Sequence, residues 1–269
     1  TRIEPWMLPL ATLNQAQIDA LAARTPGGAA NIQDIYALSP MQEGMLFHHT
    51  MSEDGDLYLL SSMLGFADRA RMDRFLDALQ RTIDRHDVLR TGIEWEGLDA
   101  PVQVVHRHAR LMVEDARMMP DDGDVAEALK HRYAAAQCRL DLRKPPLLRR
   151  YAAEDRANGR WLLRMLGHHI AMDHLGYELM LREVRAIENA IDRGENATLP
   201  PSVPYRNFVA RTRLHADHDG DMAFFREMLA DIDEPTAPFG ILEARDAQTP
   251  PRIVAHDLSA TQSAALRAH

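Results

Sequence analysis

His168, His169, Asp173 and His174 stand together in the stretch Gly167-His168-His169-Ile170-Ala171-Met172-Asp173-His174. A neutral imidazole can take or give a proton near neutral pH, or orient a reacting group by a hydrogen bond. A nearby carboxylate can hold the surrounding loop in shape. Adjacent residues on a strand face opposite ways, so one imidazole of the pair can meet a substrate while the other turns into the protein. As metal ligands the three groups are a poor set, because neighbouring histidines rarely converge on one ion and no His-Glu-x-x-His or cysteine cluster helps them. The chain has no Gly-x-Ser-x-Gly elbow, no Walker loop and no dinucleotide fingerprint. Cys138, with no motif around it on the apolar side of an expected helix, reads as packing. The stretch His48-His49-Thr50-Met51-Ser52-Glu53 imitates the first spacing with glutamate for aspartate. It follows a helix and enters a polar loop, so its imidazoles are expected to be exposed at a helix end.

The elements around the first motif explain its interest. Trp161-Leu162-Leu163-Arg164-Met165-Leu166 is short and bulky enough for a buried strand, and residues 175–191 carry apolar side chains at helical spacing. The histidines therefore sit where a strand ends and a helix begins, a frequent place for a binding crevice. Upstream, strands are expected at 147–153 and 160–166, bracketing the hairpin signal Asn158-Gly159. Met72, Phe75, Leu76, Leu79 and Ile83 predict a helix, and strands are expected at 89–95 and 102–106. A helix is expected at 125–137. Asn14 caps a short helix ending near Arg24. Ser39 with Pro40 begins another, whose buried face would hold Met41, Met45 and Leu46. The remaining methionines, Met112, Met118 and Met119, read as core filler or loop. Beyond the proline-bearing segment 194–204, helices are expected near Tyr205 and through Phe224 to Leu229. Residues 235–251 read as loop, 252–258 as a strand, and Ser259 as the cap of a last helix.

The 269 residues suffice for a substantial core, and 46% hydrophobic with 26% charged residues is an ordinary globular composition. No apolar run approaches membrane-spanning length and no secretory signal marks the start. One cysteine excludes an internal disulfide framework and suits a reducing cytoplasm. A net charge of -9 argues against a nucleic-acid surface.

Four stretches, in order, give the chain a family resemblance. Leu38-Ser39-Pro40-Met41-Gln42-Glu43-Gly44-Met45-Leu46-Phe47-His48, Arg85-His86-Asp87-Val88-Leu89-Arg90-Thr91, His168-His169-x-x-x-Asp173 and Pro204-Tyr205-Arg206-Asn207-Phe208 resemble the opening, Arg-His-x-x-Leu-Arg-Thr, His-His-x-x-x-Asp-Gly and Pro-Tyr-Arg-Asp-Tyr motifs of nonribosomal peptide synthetase condensation domains. These belong to the chloramphenicol acetyltransferase-like superfamily. The fold implied is an α/β, α+β sandwich: one acetyltransferase-like lobe (31–193) and the beginning of a second (194–269), after a linker (1–30) that resembles the segment following a carrier domain. The family's later motifs have no counterpart, which implies a partial domain, inactive alone.

The resemblance implies peptide-bond formation between a donor thioester and an acceptor amine. Upstream and downstream peptidyl carrier domains would bring both on phosphopantetheine arms, with no cofactor or metal bound by the domain itself. An adjacent adenylation domain or a tailoring enzyme would be a further partner; nucleic acid and membrane would not. His169 is then the residue facing the tunnel, His168 its structural neighbour, and Asp173 the loop-holding carboxylate, with Arg90 as its expected cation. Arg85 and His174 would shape the site, His174 replacing the family's usual glycine. The opening motif most resembles domains that accept a D-configured donor. The alternative implied by His174 is a silent platform that recruits a tailoring enzyme such as a hydroxylase. A second alternative, a stand-alone acyltransferase using a soluble thioester, is opposed by the carrier-like linker.

Overall fold

Asn14 caps α1 (Gln15–Arg24) and Ser39 caps α2 (Pro40–Met51), each in a reciprocal box in which the glutamine three residues on, Gln17 or Gln42, accepts from the cap amide. The chain continues through β1 (Ile32–Ala37), which precedes α2, then β2 (Leu59–Phe66), α3 (Arg69–Arg85), β3 (Thr91–Glu94), β4 (Val102–His106) and the two-residue β5 (Glu114–Asp115). It goes on with α4 (Val125–Arg132), β6 (Leu148–Asp155), β7 (Arg160–His168), α5 (His174–Asp192), α6 (Tyr205–Leu214), α7 (His218–Met228) and α8 (Ala260–Arg267). The structure is a computed structural model that describes residues 2–52, 55–119, 123–214, 217–241 and 254–268.

Two sheets form. The first runs β1-β4-β3, all antiparallel; the second runs β2-β7-β6-β5, with β5 parallel to β6. Strand alternation gives β6 and β7 two buried faces. Leu148, Ala152, Leu163 and Met165 pack against Met72, Phe75 and Leu79 of α3 and Met180 and Val184 of α5. Tyr151, Ala153, Leu162 and Leu166 pack against Leu129 of α4. Leu38, Leu46, Leu59, Ile93, Leu147 and Ile170 bring α2, both sheets and the end of β7 into one cluster.

Several expectations are revised. The first thirty residues do not run free as a connector: Leu8, Leu13, Ile18 and Leu21 are buried against Ile32, Ile35, Val102 and Val104. Residues 1–216 and 217–269 form separate compact units, so the division falls beyond the proline-bearing segment. The reason is α6, whose Val209 is buried with Tyr36 and Val105, whose Tyr205 amide donates to Asp87, and whose Arg206 pairs with Asp34 at 2.7 Å. Met41 is exposed, while Gln42 and His49 join Leu46 on the buried face of α2. The expected strand 89–95 is a 3-10 turn at Asp87–Arg90 followed by β3. The helix expected at 125–137 stops at Arg132, with a separate 3-10 turn at Ala135–Gln137, after which Cys138 is half-buried. Arg252 and Ile253 lie outside the described residues, and 254–258 carry no strand.

Leu79 is fully buried where α3 meets the second sheet. Leu79→Ala should lower unfolding free energy by about 2–5 kcal/mol in urea titration, and a loss below roughly 1 kcal/mol would contradict this packing.

Candidate functional site

The backbone fixes the two histidines before their rings do anything. In the hairpin, Leu148 is the register partner of Gly167, and β2 runs antiparallel to β7 with Leu59 opposite His168. The His168 amide donates to Leu147 O at 3.1 Å and the His169 amide to Tyr58 O at 2.8 Å. A Cβ at Gly167 would lie 2.9 Å from Leu148 Cδ2, so glycine lets the two strands close beneath the pair. After His169 the chain turns, and Asp173 starts α5.

His168 is fully buried. Its Nδ1 accepts from the Ile170 amide at 3.0 Å, which leaves Nε2 as the protonated nitrogen, donating to Asp56 Oδ2 at 3.0 Å. The same oxygen receives His49 Nδ1 at 2.8 Å, and Asp56 Oδ1 accepts from the Tyr58 amide at 3.0 Å. Burial opposes ionisation of Asp56. The hydrogen bonds from His168 and then His49 outweigh it and hold the carboxyl well below the ordinary carboxylate range. His49, Asp56 and His168 are close enough for one atom from each to meet a divalent ion. The chemistry of the set opposes that use, because a metal at His168 Nε2 would have to displace the proton that the Ile170 hydrogen bond places there.

His169 differs from its neighbour. Its ring is half-buried, makes no hydrogen bond among the described residues, and has Nδ1 buried without a partner. Of the two nitrogens, only Nε2 can meet an incoming group. The turn beside it is held from α2, where Gln42 Nε2 donates to Ile170 O at 2.9 Å and exchanges amide hydrogen bonds with Gln103 at 3.0 and 3.1 Å.

Asp173 and Arg90 do not pair. Asp173 is exposed and caps α5 by accepting from the Gly176 amide at 2.6 Å, so solvent and the helix N-terminus satisfy its charge and no buried cation is needed. Arg90 is buried on backbone and amide oxygens instead: Ile83 O, His106 O, Arg107 O and Gln33 Oε1. Burial pulls its guanidinium below the usual value, partly countered by Asp87 and Asp84. Arg85 joins α3 to Glu183 of α5 at 3.1 Å and also donates to Pro200 O, which places it in the frame rather than beside His169. His174 is the exposed first residue of α5 with no positive φ, so its backbone does not require the glycine of the family pattern.

The second histidine pair is also revised. His48 is exposed and bonds Tyr58 Oη at 2.7 Å, but His49 is buried on Asp56. Sequence reasoning missed Asp56, Tyr58 and Gln42. Asp56 sits in a polar loop that reads as solvated, and only the β2–β7 register brings it to His168.

Residues 32–251 match the family model described as Condensation domain. The chain belongs to that family. It is 46% identical over 245 residues to Malpinin synthetase and 44% over 243 residues to Malpibaldin synthetase, both of Mortierella alpina, covering 91% and 90% of this chain. A linear gramicidin synthase of Brevibacillus parabrevis is 30% identical over 239 residues, 87% of this chain. The condensation-domain chain spans only 3%, 4% and 4% of those three relatives' lengths. Among solved structures, the starter condensation domain of rhizomide synthetase RzmA aligns at TM-score 0.58 and 23% identity, over 73% of this chain and 50% of that one. The first condensation domain of the calcium-dependent antibiotic synthetase, in complex with a substrate analogue, aligns at TM-score 0.61 and 16% identity, over 76% and 50%. These likenesses bear out the expected acetyltransferase-like fold.

The Asp56 carboxyl gives this condensation domain a pH signature. Its folded value lies below the unfolded one, so its stabilisation is complete above the unfolded value near ~3.9 and fades as pH falls toward the folded value. The urea-midpoint gap between wild type and Asp56→Asn should narrow as pH falls below about 4. A gap unchanged at acid pH would contradict the assignment.

Proposed function

We propose that this chain joins a thioester-bound acyl donor to an amine acceptor, forming an amide, with His169 at the reacting centre. The observation that carries the reading is the asymmetry of the histidine pair. His168 is spent on Ile170 and Asp56, while His169, the next residue after the strand, has neither ring nitrogen hydrogen-bonded among the described residues.

The amine nitrogen attacks the thioester carbonyl carbon, the C–N bond forms, and the carbonyl π electrons move onto oxygen. Collapse of that intermediate expels the thiolate, and the proton lost from nitrogen ends on sulfur or in solvent. His169 Nδ1 is buried without a partner whichever nitrogen carries the proton, so only Nε2 is left to act on the reactants. On this proposal the neutral ring carries its proton on Nε2 and donates to the developing oxyanion or orients the amine, rather than removing a proton. Among the described residues, none plays the part of the carboxylate that holds Nδ1–H in serine hydrolases. An α-ammonium loses its proton near pH ~8 in model compounds, so solvent can supply the free amine.

The synthetase relatives support carrier domains on either side as the bearers of both substrates on phosphopantetheine arms; the opening motif 38–48, not the relatives, makes a D-configured donor the subtype to test first. The same relatives support an adjacent adenylation domain as a further partner, and nothing in them singles out a tailoring enzyme or the silent platform. A cytoplasmic setting fits the free Cys138 thiol. His169→Ala, assayed in the native protein with loaded carriers, should lower single-turnover amide formation by about 10²–10³-fold. His169→Gln, which keeps a donor, should recover part of that loss, and the wild-type rate should follow only the ionisation of the acceptor amine. Equal rates for wild type and His169→Ala would overturn the site. Equal inactivity of both variants, with a second titrating group in the rate profile, would overturn the donor role.

A further inference from the structure

Arg150 lies on β6 with only 2% of its surface exposed, yet it pairs with no carboxylate among the described residues. Its Nε and Nη2 both donate to Met112 O, at 3.1 and 2.6 Å, and Nη1 is buried with no partner. Removing a cation from water without an opposing charge is costly, and arginine does not escape the cost by shedding its proton as lysine does. Burial alone pulls the Arg150 guanidinium down to about 9.

The surroundings add positive charge. Arg150 forms part of the wall of a cavity of about 290 Å³, whose other charged wall residues are Arg110, Lys144, Arg149, Glu114 and Asp141. Of the acids, Asp141 is already engaged, holding Lys144 at 3.2 Å and Arg143 at 2.8 Å, and Glu114 lies on the exposed strand β5. Arg110 is exposed and has no hydrogen bond or ion pair among the described residues. One buried and one exposed guanidinium are thus left uncompensated on a single concave surface.

We propose that this cavity is a binding site for a compact phosphate-type oxyanion, held chiefly by Arg150 and Arg110. A tetrahedral oxyanion presents several acceptor oxygens and matches the forked donors of guanidinium better than a point cation would. The cavity is separate from the His169 ring, although its wall residue Leu148 is the register partner of Gly167. The assignment does not depend on the amide-forming reading. The anion can be inorganic phosphate or the phosphoryl group of an organic ester, and the test separates them.

Thermal unfolding of the chain is followed in potassium phosphate against chloride of matched ionic strength. A saturable rise in Tm specific to phosphate is expected. Arg150→Met should abolish it while leaving Tm in chloride unchanged or higher, because the uncompensated cation is gone. Arg110→Gln, on the exposed rim and safe for folding, should raise the half-saturating concentration on the order of tenfold. If Arg150→Met does not fold, the Arg110 variant and broadening of the phosphate ³¹P resonance by wild type carry the test. A lower half-saturating concentration with phosphopantetheine than with inorganic phosphate would identify an organic ester, and equal values would identify free phosphate; both uphold the site. No phosphate-specific rise, full retention in Arg150→Met, or an equal rise with phosphate-free pantetheine would overturn it.

Discussion

A buried carboxylate shared by two imidazoles is a demanding arrangement, because an ionised Asp56 out of water is tolerable only while both donors and the Tyr58 amide stay in place. That demand ties three parts of the chain together. His49 comes from the end of α2, Asp56 and Tyr58 from the entry to β2, and His168 from the last position of β7. Any movement of one element away from the others would strand a charge in the interior. The consequence for chemistry is indirect but firm. With His168 immobilised, the alternation of the strand directs the next ring the other way, and His169 is offered from a support that cannot swivel.

The surrounding frame repeats the logic with neutral groups. Gln42 caps its own helix reciprocally with Ser39, exchanges amide bonds with Gln103 of β4, and still reaches Ile170 O in the turn that follows His169. One side chain thereby connects the first sheet, α2 and the site turn. Asp173 finishes the turn by starting α5, whose buried face then packs against α3 over the second sheet. Both ends of the site segment are therefore anchored by helix-capping residues.

How much of this could be read beforehand depended on the range of each interaction. The helix of Met72, Phe75, Leu79 and Ile83, the hairpin around Asn158-Gly159, and the Ser39 and Asn14 caps are local, and their spacing was enough. The different fates of His168 and His169 were also legible, since they follow from strand alternation. Asp56 was not, because its partner His168 lies 112 residues away and only strand register joins them. The proposed Arg90–Asp173 pair failed for an instructive reason: it assumed a buried carboxylate, whereas a helix N-cap in water needs no cation. His49 and Gln42 were misjudged because helical periodicity assigns buried positions to apolar residues and cannot see polar partners across a fold.

The central claim is that the Asp56–His168 hydrogen bond holds the strand end that presents His169. A double-mutant cycle measures it directly: Asp56→Ala, His168→Ala and the double variant compared with wild type by urea unfolding. The account predicts a coupling energy of about 1.5–3 kcal/mol, the range of a charge-assisted buried hydrogen bond. Additive losses, within about 0.5 kcal/mol, would show that the two groups do not support each other and would remove the physical basis for a fixed His169.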